Sequence, residues 1–329
     1  MIDQKFYDIL LDKKFASILL LSHTPLDGDA LGASLAFDLV LKHLGKTALI
    51  VNDKAAPHTY EFLPHTDRVK MFENIDKSQK FDLAIVIDTA RYNMLGDSMK
   101  LLLNSKKVIN LDHHSDTPEI GEIQFLYPNV SATCELVYTI ARYVGYPFNE
   151  LFDTYIYTGL LTDTKSFMQL NTTPNSLRIA SEIVERGFIP YRLVEKIYEN
   201  KTASDIQLTG EILKTIKTGD DSRVVHLTYL HSMSEDTGGS LENLDAIIDH
   251  ARSVNTAEVA VFFKEINAGF FKISFRSRGR VDVKTFVERF QGGGHCAAAG
   301  CSLSGQIEDI KSTVLSNLYE YLKTFYPNV

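Results

Sequence analysis

The sequence lacks a hydrophobic run that is long enough to cross a membrane. Its longest apolar run near the start covers only residues 16–21, whereas a membrane-spanning helix needs about 20 consecutive apolar residues. The same run lacks the flanking residues of a secretory signal peptide. We therefore expect a cytoplasmic protein that has no membrane partner.

The chain is also poor in cysteine, with Cys134, Cys296 and Cys301 as its three residues of this type. Their odd number and wide spacing argue against a framework of disulfide bonds. The absence of a Cys-x-x-Cys pair argues against a zinc site built from thiolates. We expect all three to be small, buried side chains.

Positive charge is in deficit as well. The chain has 34 Lys and Arg residues against 42 Asp and Glu residues, which gives a formal net charge of −8 and a pI near 5.7. Proteins that bind long nucleic acids use many Lys and Arg contacts to phosphates, so this balance argues against a long nucleic-acid partner. A short anionic substrate held by metal ions is compatible with the composition.

The first half of the sequence alternates between two kinds of pattern. Short runs rich in Leu, Ile and Val are followed by helical periodicity, which predicts an α/β fold with a mostly parallel sheet. Strands are predicted over residues 16–22, 47–51, 81–87 and 107–111, and helices over 30–44 and 132–144. Each of these helices stops at a glycine, a residue that favours helix ends.

The second half starts a new pattern, and the length of 329 residues favours two domains. Residues 174–217 have only helical periodicity. They are followed by predicted strands over 223–229, 257–265 and 269–277 and by helices over 241–254 and 282–291. We predict a catalytic domain over 1–188, a helical connector over 189–220 and a smaller α/β domain over 221–329, with the active-site cleft between the two domains.

Acidic and histidine residues cluster where predicted strands or helices end, and open α/β sheets bind their ligands at such ends. Each cluster alone has an ordinary explanation, because aspartates cap helices and polar residues form turns. Four clusters at equivalent places favour one shared site. The residues are His23, Asp27, Asp29, Asp88, Asp112, His113, His114 and Asp163.

This combination of carboxylates and imidazoles indicates the kind of metal. Oxygen and nitrogen ligands suit manganese or magnesium, whereas softer metals usually recruit thiolates. Five or six ligands exceed what one catalytic ion needs. We therefore expect two divalent ions, manganese or magnesium, about 4 Å apart that share a bridging carboxylate.

The motifs resemble those of the DHH phosphoesterase superfamily. Residues 112–114 read Asp-His-His, the motif that names the family, and residues 23–29 match its HxxxDxD element. Residues 292–300 are similar to the GGGHxxAAG motif of the DHH-associated domain, so the resemblance covers nearly the full chain. Together with residues 275–277, Phe-Arg-Ser, they resemble most closely the branch of nanoRNases and 3′-phosphoadenosine 5′-phosphate (pAp) phosphatases.

The resemblance implies a role for each residue of the site. His114 would stabilise charge on the substrate phosphate, and Asp112 would orient the imidazoles. Together with Asp88, these two would be the catalytic residues. The metal ligands would be His23 and Asp27 for one ion, Asp29, His113 and Asp163 for the other, and Asp88 for both.

A second set of residues is predicted to bind the substrate. Arg276, Arg278 and Arg280 lie at alternate positions near the end of a predicted strand. Guanidinium groups bind phosphate bidentately, which favours Arg276 and Arg278, whereas Arg280 is more easily explained as part of a solvated turn.

The glycine run after these arginines is predicted to approach the same ligand. Gly293 and Gly294 would let the backbone come close to it, and His295 would contact phosphate or base. The small residues that follow predict a helix whose N–H groups face an anion.

The expected activity is metal-dependent hydrolysis of very short single-stranded RNA, of two to five nucleotides, to nucleoside 5′-monophosphates. Conversion of pAp to AMP and phosphate is expected as well. The alternatives are a pyrophosphatase or polyphosphatase, a phosphodiesterase acting on cyclic or linear dinucleotides, and a non-catalytic nucleotide sensor. A homodimer is compatible with the sequence, although no residue indicates one.

Overall fold

The computed structural model describes residues 2–89, 91–114, 120–240 and 244–327, with the side chains of Leu244, Asp245 and His295 outside the description. The chain forms two compact units, residues 1–200 and 201–329. The connector predicted over 189–220 thus contains one helix of the first unit and one of the second. None of the helices in the described ranges is both long and apolar enough to cross a membrane.

The first unit is built on a sheet of six parallel strands, in the spatial order β3-β2-β1-β4-β5-β6. The central strands are buried on both faces, as parallel strands covered by helices must be. The sequence correctly predicted β1, β2, β4 and β5 but not the short edge strands β3 and β6. The strands are β1 (Ser17–Ser22), β2 (Thr47–Asn52), β3 (Val69–Met71), β4 (Leu83–Ile87), β5 (Val108–Asp112) and β6 (Ile123–Leu126).

Helix α2 packs directly on this sheet, α3 and α4 pack on α2, and α5 and α6 pack on α4. Short 3₁₀ segments lie between the strands. The larger apolar core lies between the sheet and α2, α3 and α4, and a smaller one lies on the opposite face. The helices are α1 (Gln4–Leu11), α2 (Gly28–His43), α3 (Thr133–Tyr143), α4 (Glu150–Asp163), α5 (Pro174–Glu185) and α6 (Pro190–Tyr198). The 3₁₀ segments are His58–Tyr60, Thr66–Arg68, Phe72–Asn74 and Tyr92–Asn104.

Helices α2 and α4 pack closely because glycines line their contact. A Cβ atom at Gly28 would lie 2.4 Å from Oγ1 of Thr162, and one at Gly32 would lie 2.5 Å from the carbonyl oxygen of Tyr155. The start of α2 therefore meets the end of α4, so the two helices run antiparallel. This arrangement brings the aspartates at the start of α2 close to the aspartate that ends α4.

The second unit contains a mixed sheet in the order β11-β12-β10-β9-β8-β7, in which β8 and β9 are parallel and the other pairs antiparallel. The α/β class predicted for both halves is confirmed. The strands are β7 (Lys217–Thr218), β8 (Val224–Tyr229), β9 (Val259–Asn267), β10 (Phe270–Ser277), β11 (Gly293–His295) and β12 (Ala298–Ser304). The helices are α7 (Ala203–Leu213), α8 (His231–Thr237), α9 (Ile248–Arg252), α10 (Val283–Val287) and α11 (Ile307–Phe325), with 3₁₀ segments at Leu244–Ile247 and Glu288–Phe290.

Two predictions about the glycine-rich segment are wrong. The helix expected after Gly294 is not formed, because β11 and β12 pair as a hairpin and β12 also pairs with β10. Pairing with β10 thus overrides the helix preference of the alanines in this segment. Cys296 lies in the tight turn of this hairpin and is exposed, whereas Cys134 and Cys301 are buried as expected.

Candidate metal centre

The carboxyl edge of the parallel sheet collects the acidic and histidine residues that the sequence singled out. His23 follows β1, Asp88 follows β4, and residues 112–114 lie at the end of β5. The strand order reverses around β1 and β4, and open α/β sheets bind ligands at such a switch point. Helix ends complete the set, since α2 begins after Asp27 and α4 ends at Asp163.

The donor atoms form overlapping groups in which all atoms lie within 4.8 Å of one another. These groups are His23, Asp27 and Asp88; Asp29, His113 and Asp163; and Asp88, His113 and His114. The two oxygens of Asp88 face different partners. Oδ2 lies 3.7 Å from Nε2 of His23, and Oδ1 lies 3.5 Å from Nε2 of His113. This is the geometry of a carboxylate that can bridge two ions.

The chemistry of the donors fits a pair of divalent ions. Carboxylate oxygens and imidazole nitrogens are suitable ligands for hard or borderline ions. Asp29 and Asp88 are almost fully buried, at 1% and 2% exposure. Buried carboxylates this close together require neutralisation by cations or protons. The assignment of individual ligands stays a prediction.

The backbone of Asp88 adopts an unusual conformation. Its φ angle is 52°, in the left-handed region that side chains other than glycine rarely adopt. Its N–H group donates to the carbonyl of Leu111, 3.1 Å away, so the adjacent strand holds this conformation. Strained backbone of this kind concentrates at functional sites, where surrounding contacts stabilise it.

Asp27 both caps a helix and faces the donor group. Its Oδ1 accepts hydrogen bonds from the N–H groups of Asp29 and Ala30 at 3.0 and 2.9 Å, while Oδ2 lies 3.4 Å from Nε2 of His23. The capping and ligand interpretations are therefore compatible for this residue. For Asp163, the alternative of an N-terminal cap is wrong because the residue ends α4.

Asp29 is held by a distant helix that the sequence did not connect with it. The N–H groups of Thr133 and Cys134, at the start of α3, donate to its two carboxylate oxygens at 2.6 and 2.9 Å. Gly159 makes room for the same carboxylate, since a Cβ atom there would lie 2.5 Å from Oδ1. The start of α3 thus orients a predicted ligand.

Two asparagines also support the site and were missed by sequence reasoning. Asn52, at the end of β2, donates to the carbonyls of Ser22 and His23 at 3.2 and 3.0 Å. Asn171 donates from Nδ2 to Oδ2 of Asp163 at 3.3 Å and to the backbone of the same residue. Neither residue belongs to a sequence motif that we identified, although the position of Asn52 at a strand end was a usable signal.

Burial and mutual repulsion perturb the pKa values of the site. Burial, followed by the charges of Asp29 and Asp27, raises the pKa of Asp88 to about 7. Burial and the neighbouring carboxylates likewise raise the pKa of Asp163 to about 9. Although burial opposes its charge, the pKa of His23 rises to about 9 because of its hydrogen bond and proximity to Asp27. The metal-free site therefore retains protons near neutral pH that bound cations would displace.

His114 is oriented by Asp112, a carboxylate that is fully buried. Nδ1 of His114 lies 2.7 Å from Oδ1 of Asp112, and the same oxygen accepts from the backbone N–H of His113. Although burial lowers it, the pKa of His114 is raised by this hydrogen bond and the charge of Asp112. With Nδ1 donating to Asp112, the protonated ring can donate from Nε2–H to an anion.

In the second unit, the three arginines predicted near the end of β10 have different surroundings. Arg278 donates to the carbonyls of Arg252, Val254 and Asn255 at 3.2, 2.9 and 3.4 Å, and Arg280 pairs with Glu258. Arg276 donates from Nη1 to the carbonyl of Phe275 at 3.0 Å. Its Nε and Nη2 have no acceptor among the described residues, which makes it the strongest candidate for binding an anion.

The glycine-rich segment lies beside Arg276 in the sheet. Ala298 pairs with both Arg276 and His295, so the three residues occupy matching positions on adjacent strands. Gly294 has a φ angle of 141°, and a Cβ atom there would lie 2.5 Å from the carbonyl of Ala298, whereas Gly293 faces open space. The side chain of His295 lies outside the described residues, so its predicted contact with the substrate stays a prediction.

Comparisons with known proteins give a consistent result for both halves of the chain. Residues 17–161 match the model of the DHH family N-terminal domain, and residues 224–322 match that of the DHHA1 domain. The bifunctional oligoribonuclease and PAP phosphatase NrnA of Thermus thermophilus is 31% identical over 289 residues, which are 88% of this chain and 84% of that protein.

A second relative and a solved structure extend these similarities. The Bacillus subtilis protein that is also named bifunctional oligoribonuclease and PAP phosphatase NrnA is 23% identical, over 88% of this chain and 90% of its own. The crystal structure of an exopolyphosphatase-related protein from Bacteroides fragilis matches with a TM-score of 0.90 at 22% identity. That match covers 98% of this chain and 97% of the other, and it shows a shared fold.

Proposed function

Since this chain belongs to the DHH family of phosphoesterases, we propose that it hydrolyses very short oligoribonucleotides to nucleoside 5′-monophosphates and converts pAp to AMP and phosphate. The names of its Thermus and Bacillus relatives support these substrates. The observation that carries the proposal is the bridging geometry of Asp88, whose two oxygens face separate donor groups.

The metal ligands we propose are the six residues predicted from the sequence. Two divalent ions, Mn²⁺ in the first instance, would supply Lewis-acid activation of water and neutralise charge on the phosphate. Asp88 would be shared between the ions. The other ligands would be His23 and Asp27 for one ion and Asp29, His113 and Asp163 for the other.

His114, Asp112 and Arg276 would act on the substrate side. The hydrogen bond to Asp112 keeps Nδ1 of His114 as a donor, so Nε2 is the atom that contacts the phosphate. Because the pKa of His114 is raised, its cationic form is favoured and stabilises negative charge there. Arg276 would bind a second phosphate through its guanidinium group. Gly293 and Gly294 would let backbone approach the substrate, and Arg278 and His295 are secondary candidates.

A short substrate agrees with the charge of the chain. A net charge of −8 disfavours the many phosphate contacts that long RNA requires. A dinucleotide or pAp has few phosphates, which metal ions and a small number of guanidinium groups can neutralise.

A competition experiment tests the choice of substrate. The Mn²⁺-loaded protein is incubated with equimolar 5′-phosphorylated diadenylate, pAp and pyrophosphate, and all three are followed by ion-exchange chromatography. We expect early loss of the diadenylate or pAp with formation of AMP. Consumption of pyrophosphate alone would assign the protein to a different substrate class. If none of the three were consumed, the proposed activity would be wrong.

A substitution tests the proposed role of Arg276. Arg276→Ala is expected to raise the KM for the 5′-phosphorylated diadenylate by about 10- to 100-fold, because charge-assisted hydrogen bonds contribute about 1.5–3 kcal/mol. Steady-state kinetics measure this effect. Lys272→Ala removes a positive charge four residues before Arg276 on the same strand. It should leave KM nearly unchanged. Equal effects of the two substitutions would indicate general electrostatic attraction instead of a specific contact.

A further inference from the structure

Helix α3 begins without a capping side chain of its own. Its N-cap residue is Ala132, which has no side-chain hydrogen bond to the helix. The first N–H groups of a helix need acceptors when they are buried. The carboxylate of Asp29, from the start of α2, accepts from the N–H groups of Thr133 and Cys134. A residue 104 positions earlier therefore provides the acceptor that the local sequence lacks.

Thr133 also contacts a second carboxylate. Its hydroxyl Oγ1 donates to Oδ1 of Asp88 at 3.1 Å. Thr133 itself is completely buried, and Asp29 and Asp88 are nearly so. One residue thus holds two acidic side chains, Asp29 through its backbone and Asp88 through its hydroxyl.

The contact with Asp88 is made at one particular oxygen. Oδ1 is the oxygen that faces His113, whereas Oδ2 faces His23. An ionised carboxylate can accept about four hydrogen bonds or metal contacts, so the hydroxyl leaves acceptor capacity on Oδ1. It does restrict the rotation of the carboxylate and therefore the direction of its remaining lone pairs.

We propose that Thr133 is a positioning residue for the metal centre, which aligns Asp88 and Asp29 so that both carboxylates present their remaining lone pairs to the same ion. The inference rests on the proposed function, because it assigns Thr133 a role toward the ion that Asp29, His113 and Asp163 would hold. Groups that orient metal ligands typically change metal affinity by about 10- to 100-fold when they are removed.

The test compares variants that separate the hydroxyl from the backbone contact. Thr133→Val removes the hydroxyl but keeps the N–H group and the size of the side chain, and Thr133→Ser keeps the hydroxyl. Isothermal titration with Mn²⁺ measures the affinity of each ion. Thr133→Val is expected to weaken one of the two binding steps by about 10- to 100-fold. Thr133→Ser should remain close to the wild type.

Thr139→Val is the matched control. Thr139 lies on the same helix, and its hydroxyl donates to the carbonyl of Glu135 at 2.9 Å, away from the donor groups. Wild-type Mn²⁺ affinity is expected for this variant. Circular dichroism establishes that each variant is folded. If Thr133→Val did not fold, Thr133→Ala would remove the same hydroxyl without steric conflict.

Kinetic measurements distinguish this inference from the function on which it rests. Thr133→Val should lower kcat while leaving KM nearly unchanged, since Thr133 has no predicted contact with substrate. If the wild type binds two Mn²⁺ ions and hydrolyses its substrate, but the hydroxyl-free variant binds both ions with unchanged affinity, the role of Thr133 is refuted alone. If the wild type binds no divalent ion, the two-metal function fails and this inference fails with it.

Discussion

Asp88→Asn is expected to abolish hydrolysis, with a loss in kcat of at least about 1,000-fold, or about 4 kcal/mol of transition-state stabilisation. Asp88 is the residue whose two oxygens face separate donor groups, so its replacement affects the proposed sites of both ions. An amide keeps the shape of the side chain but lacks the negative charge and one of the acceptor oxygens. Turnover of the 5′-phosphorylated diadenylate measures the effect.

The loss should not reflect unfolding, and an aspartate at the other end of β4 provides the control. Asp82 precedes β4 at the opposite edge of the sheet, where its Oδ2 accepts from the N–H groups of Ala16 and Ser17. Asp82→Asn is expected to retain wild-type turnover. Near wild-type activity in Asp88→Asn would be incompatible with the two-metal proposal. A loss of activity in both variants would point to a general effect on the sheet.

The metal-free protein is expected to lose stability as the pH rises from about 5 to 9, whereas the Mn²⁺-loaded protein should be much less sensitive. The pKa values of Asp88 and Asp163 are raised to about 7 and about 9, far above the value of about 3.9 in an unfolded chain. At pH values above about 4 and below the folded-state pKa of each group, the folded chain holds protons that the unfolded chain has released. The resulting stabilisation is therefore fully present below about pH 4 and is lost as the pH rises through the folded-state values.

His23 contributes in the same direction. Its folded-state pKa of about 9 exceeds the value of about 6.5 in an unfolded chain. The stability that it adds is therefore present below about pH 6.5 and is lost as the pH approaches 9. Bound cations take over the role of the protons, so stabilisation by metal should increase with pH over this window.

Calorimetry with EDTA or Mn²⁺ across this pH range measures both effects. We expect the Tm of the metal-free wild type to fall by about 5 °C or more between pH 5 and 9, since each kcal/mol corresponds to about 2–4 °C in a domain of this size. Asp88→Asn provides the comparison, because an amide does not titrate, and its metal-free Tm should depend less on pH. A metal-free Tm that rose with pH in the wild type would contradict the assigned direction of these pKa shifts.

Local pattern was sufficient to predict much of the first unit. The apolar runs of β1, β4 and β5 indicated buried parallel strands, and parallel strands place their carboxyl ends at one edge. His23, Asp88 and residues 112–114 follow these strands, so their proximity could be predicted without coordinates. The short edge strands β3 and β6 were missed because three or four residues carry too little periodicity to be recognised.

The glycine-rich segment was predicted less well, for a different reason. Glycine and alanine allow the backbone to approach other groups, and the sequence correctly marked the segment as special. It wrongly indicated a helix after the glycines, because alanine has the strongest intrinsic preference for a helix. Pairing of β12 with β10 made these residues a strand instead. The turn between β11 and β12 left Cys296 exposed.

The sequence by itself thus determined the α/β class, the main strands and the chemical identity of the donors, because hydrophobic period and residue type are local properties. Only the tertiary structure decided which residues orient those donors. Thr133 reaches Asp29 across 104 positions, and Asn52 supports His23 from an adjacent strand. Such contacts depend on how α2, α3 and the strands pack, and a buried carboxylate accepts whatever donor that packing brings within hydrogen-bonding distance.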